Sequence, residues 1–262
     1  MKSQDILIAL KLICLEQKEK EIIKKREITD FIEENPETLI VEQTDNYFSN
    51  YESDEEWGEV EFESDEEWDE LEFDSDSIAH PEEWEGWLAG EPAYEKKLVD
   101  ANSLKSIQNQ YTVRGLADLT GIGKTEVAQS LKRSIYAGIA YYDRNNNIPR
   151  VNRPIMYNFI IHGLKYVFPA SISLMTRGIP TSFASPALRE HVETAGGLIY
   201  VWPDPEGKEM GQSIEPLFPS VPFAVRQDRQ LYEFLALVDA IRLGNAREVK
   251  LAKSQLEKGL MR

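Results

Sequence analysis

Residues 113–133 read VRGLADLTGIGKTEVAQSLKR, and their types and spacing suit two short helices crossing at a tight turn. Ala117 is small enough for a second helix to cross close by. Gly121, four positions on, can turn the chain, and Val127, six further, can bury the second helix. Leu116, Ile122 and Leu131 complete a shared core. This leaves Lys124, Thr125, Ala128, Gln129 and Lys132 on the outward side of the second helix, with Arg133 counted beside them as a candidate contact. The chemistry open to such a face is hydrogen bonding to base edges in the major groove of duplex DNA. Gln129 can pair with an adenine edge through two hydrogen bonds, and the lysines can reach guanine or phosphate. Glu126, three residues after Gly123, fits a weak capping box.

The residues that follow extend the pattern. Tyr141-Tyr142-Asp143-Arg144, a turn at Asn145-Asn146-Asn147 and Ile148-Pro149-Arg150-Val151-Asn152-Arg153 fit two strands with a basic tip, a wing beside the helices. Arg144, Arg150 and Arg153 would then lie against the phosphate backbone, which positions a protein on DNA without reading sequence. The string GIGKT at Gly121–Thr125 is not a phosphate-binding loop. The position five residues before Gly123 is Asp118 rather than glycine, and the segment before it has a helical pattern instead of a strand.

A net charge of −17 sits poorly with DNA until its distribution is read. Between Asp30 and Asp100 there are 27 acidic residues against Lys96 and Lys97, a local −25 that leaves +8 for the rest of the chain. Affinity for DNA comes from lysine and arginine displacing counterions, so the local sign matters more than the sum. The acidic block also repeats itself every 11 residues, at Tyr51-Glu52-Ser53-Asp54, Phe62-Glu63-Ser64-Asp65 and Phe73-Asp74-Ser75-Asp76. Its charge density argues against an autonomous core, so residues 26–100 are expected to be a largely disordered, low-complexity insertion.

Around this block the periodicities predict the elements that must hold the candidate face. Ser3 to about Lys25 reads as a helix with Ile6, Leu7, Leu10, Ile13 and Cys14 on one face, capped by Ser3 or Asp5. Further helices are expected near 103–108, 113–119, 124–137 and 155–168, and a strand over 139–142. Residues 169–225 are rich in proline and glycine, with one strand expected at 198–202. Two helices, 229–243 and 246–260, close the chain, the first capped by Asp228 and buried through Leu231, Phe234, Leu235 and Val238. The expected fold is mainly α with a small β wing. It comprises a winged helix-turn-helix built from residues 1–25 and 101–154, and an irregular, helical domain over 155–262 for dimerisation or partner contact.

Little supports catalysis. His80, His162 and His191 have no metal-ligand spacing among themselves, and His162 in an apolar helix reads as a packed core residue. Cys14, the one cysteine, excludes a disulfide framework and a multi-thiolate zinc site and fits a buried structural thiol. No nucleophile–base pair stands out. The expectation is a protein that is not an enzyme and takes no cofactor or metal. No apolar run approaches the roughly 20 residues that span a bilayer, and no secretory signal is visible, so a cytoplasmic protein is expected.

Several stretches carry a resemblance. SQDILIALKL at 3–12, residues 111–133, PRVNRPIMYNFIIHGLKYVFPA at 149–170, TRGIPTSFASP at 176–186, VWPDPEG at 201–207, IEPLFPSVPFAV at 214–225 and LYEFLALVDAIRLGNARE at 231–248 are the matching segments. The chain thereby resembles a family of uncharacterised bacterial winged helix-turn-helix regulators of the MarR-like kind. The resemblance implies a sequence-specific DNA-binding transcriptional regulator, a homodimer, and, through genes for nucleotidyltransferase-type toxins beside some members, an alternative antitoxin-like role. In relatives the first helix leads almost directly into the helix-turn-helix, whereas here the acidic insertion intervenes. That block could fold back on Lys124, Lys132 and the wing arginines as a DNA mimic. Alternatively it could capture a basic or toxin partner with Trp57, Trp68, Trp84 and Trp87 as aromatic anchors, or serve as a solvated spacer.

Overall fold

A computed structural model describes residues 1–34, 101–189 and 199–262. The chain divides into two units, Met1–Ile23 with Leu88–Arg262, and Lys24–Trp87. Of the second unit, only the continuation of the first helix to Glu34 is described. The 11-residue repeats and the four tryptophans expected to anchor a partner lie outside the described residues. The described part is mainly helical, with small sheets.

The first helix, α1 (Ser3–Glu34), starts where the Asp5 carboxylate accepts the Lys2 amide at 2.8 Å. One apolar face was expected. Instead every residue from Gln4 to Leu15 is buried. The run ILIALKLICL is apolar all round except at Lys11, and a helix of that kind belongs inside a core. Lys11 tolerates this position because its Nζ donates to Asp228 at 2.6 Å, both side chains being 1 % exposed. Cys14 is buried, and burial pushes its thiol well up.

Next come α2 (Ala101–Gln110), α3 (Val113–Thr120) and α4 (Lys124–Tyr136). Thr112 caps α3, its hydroxyl accepting the Gly115 amide at 3.0 Å. Gly121, at φ 68°, ends α3 and donates its amide to the Ala117 carbonyl at 2.9 Å. That left-handed turn lets α4 fold back so that Leu116, Ala117, Ile122, Val127 and Leu131 are buried. A second left-handed glycine, Gly138, leads into β1 (Ala140–Tyr142), which pairs antiparallel with β2 (Pro149–Val151), Tyr141 facing Arg150.

After β2, α5 (Arg153–Phe159) is capped by Asn152 and passes through a π-helical stretch, Ile160–Leu164, into a last turn, Lys165–Val167. Ile160 and Leu164 take the buried positions there, which leaves His162 exposed rather than packed in the core as expected. The proline- and glycine-rich region then holds more strand than its composition predicts. β3 (Ile172–Thr181) pairs antiparallel with β4 (Tyr200–Pro203) and with β5 (Glu209–Ile214), and β4 and β5 pair parallel, closing a three-stranded ring. Such close backbone packing needs glycine. A Cβ on Gly178 would stand 2.0 Å from the Trp202 carbonyl oxygen, and one on Gly211 2.5 Å from that of Ile199.

Beyond the short α6 (Pro186–Arg189), α7 (Val221–Gln227), α8 (Arg229–Leu243) and α9 (Ala246–Leu260) complete the fold. Asp228 caps α8, accepting the Gln230 and Leu231 amides. Asp239 joins α8 to the small sheet, accepting Trp202 Nε1 at 2.6 Å, Thr181 Oγ1 at 3.1 Å and Arg242 Nη1 at 2.6 Å. Burial pushes the Asp239 carboxyl up, against the pull of these donors. Among the described residues, no helix is long and apolar enough to cross a membrane.

Candidate nucleic-acid interface

Helix α4 has two unlike sides. Val127, Ser130, Leu131 and Ser134 are buried. Thr125, Gln129, Lys132 and Tyr136, spaced by four, three and four residues, form one stripe and are all exposed. Lys124 is exposed at the start of the helix, and Ala128 is half-buried beside the stripe. Tyr136 was not among the expected site residues, yet it is 96 % exposed. The signal that could have found it is its position four residues after Lys132. On the hairpin, Tyr141 and Tyr142 are exposed, and so are Arg144 and the asparagines of the turn. Asn147, at φ 53°, and the Asp143 carboxylate, which accepts the Asn145 amide at 3.1 Å, shape that turn.

The expected capping box is absent. Gly123 offers no side chain, and Glu126 instead accepts Gln4 Nε2 and lies 3.8 Å from Lys2 Nζ. Glu126 thereby links the start of α1 to α4.

Three arginines expected on the DNA side face inward instead. Arg133 Nη2 lies 2.7 Å from Asp5 Oδ1 and its Nε donates to Oδ2 at 3.0 Å, while the Ser130 hydroxyl donates to the same carboxylate at 2.7 Å. Arg150 Nη2 is 2.7 Å from Glu19 Oε2, and its Nη1 donates to the Tyr111 hydroxyl, which in turn donates to Glu19 at 2.9 Å. The Arg150 guanidinium also sits 5.0 Å from the centre of the Tyr111 ring. Arg153 pairs with Glu16 at 3.0 Å and donates to the Leu260 carbonyl at 2.8 Å and to that of Arg262. Asp5, Glu16 and Glu19 all belong to α1, so these arginines fasten α4, β2 and α5 to the first helix.

Burial alone would raise the Asp5 carboxyl, but the Arg133 guanidinium, the Lys2 amide and the Ser130 hydroxyl together hold it below the ordinary carboxylate range. Burial, with Glu19 alongside, pushes the Tyr111 hydroxyl up despite Arg150, so it remains a proton donor. A recess of about 530 Å³ opens between the α2–α3 junction and the hairpin, bounded by Tyr111, Tyr142, Asn146 and Asn147.

Among the described residues, no group of three His, Cys, Asp or Glu is placed to hold a metal ion. His80 and His191 lie outside the described residues. GIGKT spans the turn after helix α3 and the first turn of α4. The resemblance to MarR-like regulators rests on the quoted segments alone, because no family model, curated protein or solved structure matches the chain.

Proposed function

We propose that α1 to α4 and the β1–β2 hairpin act as a winged helix-turn-helix that binds duplex DNA, and that the protein is a sequence-specific transcriptional regulator. The observation that carries this reading is the outward stripe of α4. It offers Thr125 and Gln129 to base edges, Lys124 and Lys132 to guanine or phosphate, and Tyr136 at its far end, on a helix whose other side is buried. Arg144 at the hairpin turn is the wing residue left for phosphate. A homodimer would set two such helices about one helical turn of DNA apart, roughly 34 Å. The local −25 of residues 30–100 is proposed to weaken the affinity of the intact chain for DNA through repulsion of the phosphates.

Binding to duplex DNA from upstream of its own gene, measured between about 50 and 200 mM salt, tests the reading. Expected are a steep loss of affinity with salt and, in Lys132→Ala, a salt slope shallower by about one. Replacing the acids of residues 51–76 by their amides should tighten binding. No binding by either form of the protein would remove the regulator reading in favour of an interaction protein that neutralises a basic or toxin partner.

A further inference from the structure

The geometry points to a second surface: we propose that the first half of β3 is a self-pairing edge through which two copies of this chain form a twofold dimer. β5 lies along β3 from Ile172 to Gly178, but β4 pairs only with Gly178 to Thr181. On the β4 side, the backbone from Ile172 to Thr176 therefore has no strand beside it among the described residues. Among the described residues, the last bond on that side is from the Asp204 amide to the Arg177 carbonyl at 3.1 Å.

Open edges are ordinarily guarded by charge or proline. The segment Ile172-Ser173-Leu174-Met175-Thr176 carries neither, and its apolar side chains protrude. Leu174 is 87 % exposed, Met175 51 % and Ile172 47 %, with Met210 of β5 at 55 % beside them. Unpaired backbone and exposed apolar side chains on one short edge are both satisfied by an antiparallel copy of the same edge, because a twofold contact uses the same patch on each partner.

Charge selects the register. Arg177 is exposed and makes no ion pair among the described residues. Glu215 is exposed too, its Oε2 3.5 Å from the Ser171 hydroxyl. With Leu174 facing the partner's Leu174, Arg177 faces the partner's Ser171, and its guanidinium comes within reach of the partner's Glu215. Two Arg177–Glu215 pairs then flank an apolar centre, and the two Arg177 side chains stay at opposite ends of the ladder. A register shift against β5 between Ile172 and Met175 bends the strand at this point. The ladder is therefore short, and side-chain burial supplies much of the contact.

The proposal gives a surface to the homodimer of the regulator reading, but its test uses no DNA, so the two fail separately. Sedimentation velocity on the full chain over a concentration series is the experiment, with thermal unfolding of each variant to show that it folds. The wild-type chain should dimerise reversibly. Leu174→Lys should raise the dimer dissociation constant by about tenfold or more. Arg177→Glu should weaken the dimer to a smaller extent, and adding Glu215→Arg to it should restore the association. A wild-type chain that stays monomeric at every concentration would overturn the proposal. So would a dimer indifferent to both Leu174→Lys and Arg177→Glu, which would place the contact elsewhere. Failure of the charge-swapped double variant to recover would overturn the register.

Discussion

Lys124, Lys132 and Arg144 come from the same stretch of chain as Arg133, Arg150 and Arg153, yet the two sets meet opposite surroundings. The first set is exposed around the outer side of α4 and the hairpin turn. The second is held against α1 by Asp5, Glu19 and Glu16. Lys132 and Arg133 are chain neighbours, and one helical step of about 100° separates a residue facing solvent from one tied to a buried carboxylate. Positive charge close to the outward side of α4 is therefore not by itself free to meet a ligand. Here half of it orients the elements that carry the other half.

The sharpest way to break the inner set is Asp5→Ala, which leaves Arg133 and Ser130 without their partner. It should cost about 3 kcal/mol in urea unfolding, the low end for a broken buried pair because Arg133 keeps some access to water. The same contact sets an acid dependence. Asp5 and Asp228 are both held below the ordinary carboxylate value of 3.8 by their cationic partners, against burial that would raise them. Their stabilisation is complete above that value and is lost as pH falls through the lowered folded-state values. Urea midpoints measured from neutral pH down to about pH 3 should fall in acid, and less steeply in Asp5→Ala than in the wild type.

Arg150→Ala should lower stability by about 2 kcal/mol, since Glu19 and the Tyr111 hydroxyl lose a buried donor. Its duplex affinity per folded molecule should change less than that of Lys132→Ala. Lys132→Ala should show the reverse profile, with stability within about 0.5 kcal/mol of wild type and weaker DNA binding. If Arg150→Ala and Lys132→Ala lose affinity equally with no loss of stability, the division into inner and outer sets is wrong. The smallest effect is expected from Tyr136→Ala, about 1 kcal/mol in duplex affinity with unchanged unfolding.

A second contrast concerns what local pattern conveys. The α3–α4 turn was legible because Ala117, Gly121 and Val127 act within a few residues of one another. The Asp228 cap was legible for the same reason: its carboxylate meets amides two and three residues on. The closed sheet was not. The proline- and glycine-rich stretch 169–225 was expected to hold one strand, while in the fold Gly178, Gly207 and Gly211 admit neighbouring backbone that any side chain would block.

The sequence by itself determined the limits of α3, α4, α8 and α9 to within a residue, which face of α4 is apolar, and that its net positive charge lies outside one acidic block. These follow from caps, turn residues and periodicity, whose physical reach is a single turn or strand. Only the tertiary structure decided which arginines are consumed inside. The partner of Arg133 is 128 residues away in the chain, and nothing in a local window records an ion pair formed at that separation. It likewise decided that the stretch Gln4–Leu15 of α1 is buried on every side and that no described strand lies along the β4 side of the first half of β3. Burial and pairing there depend on elements that meet only once the chain has folded.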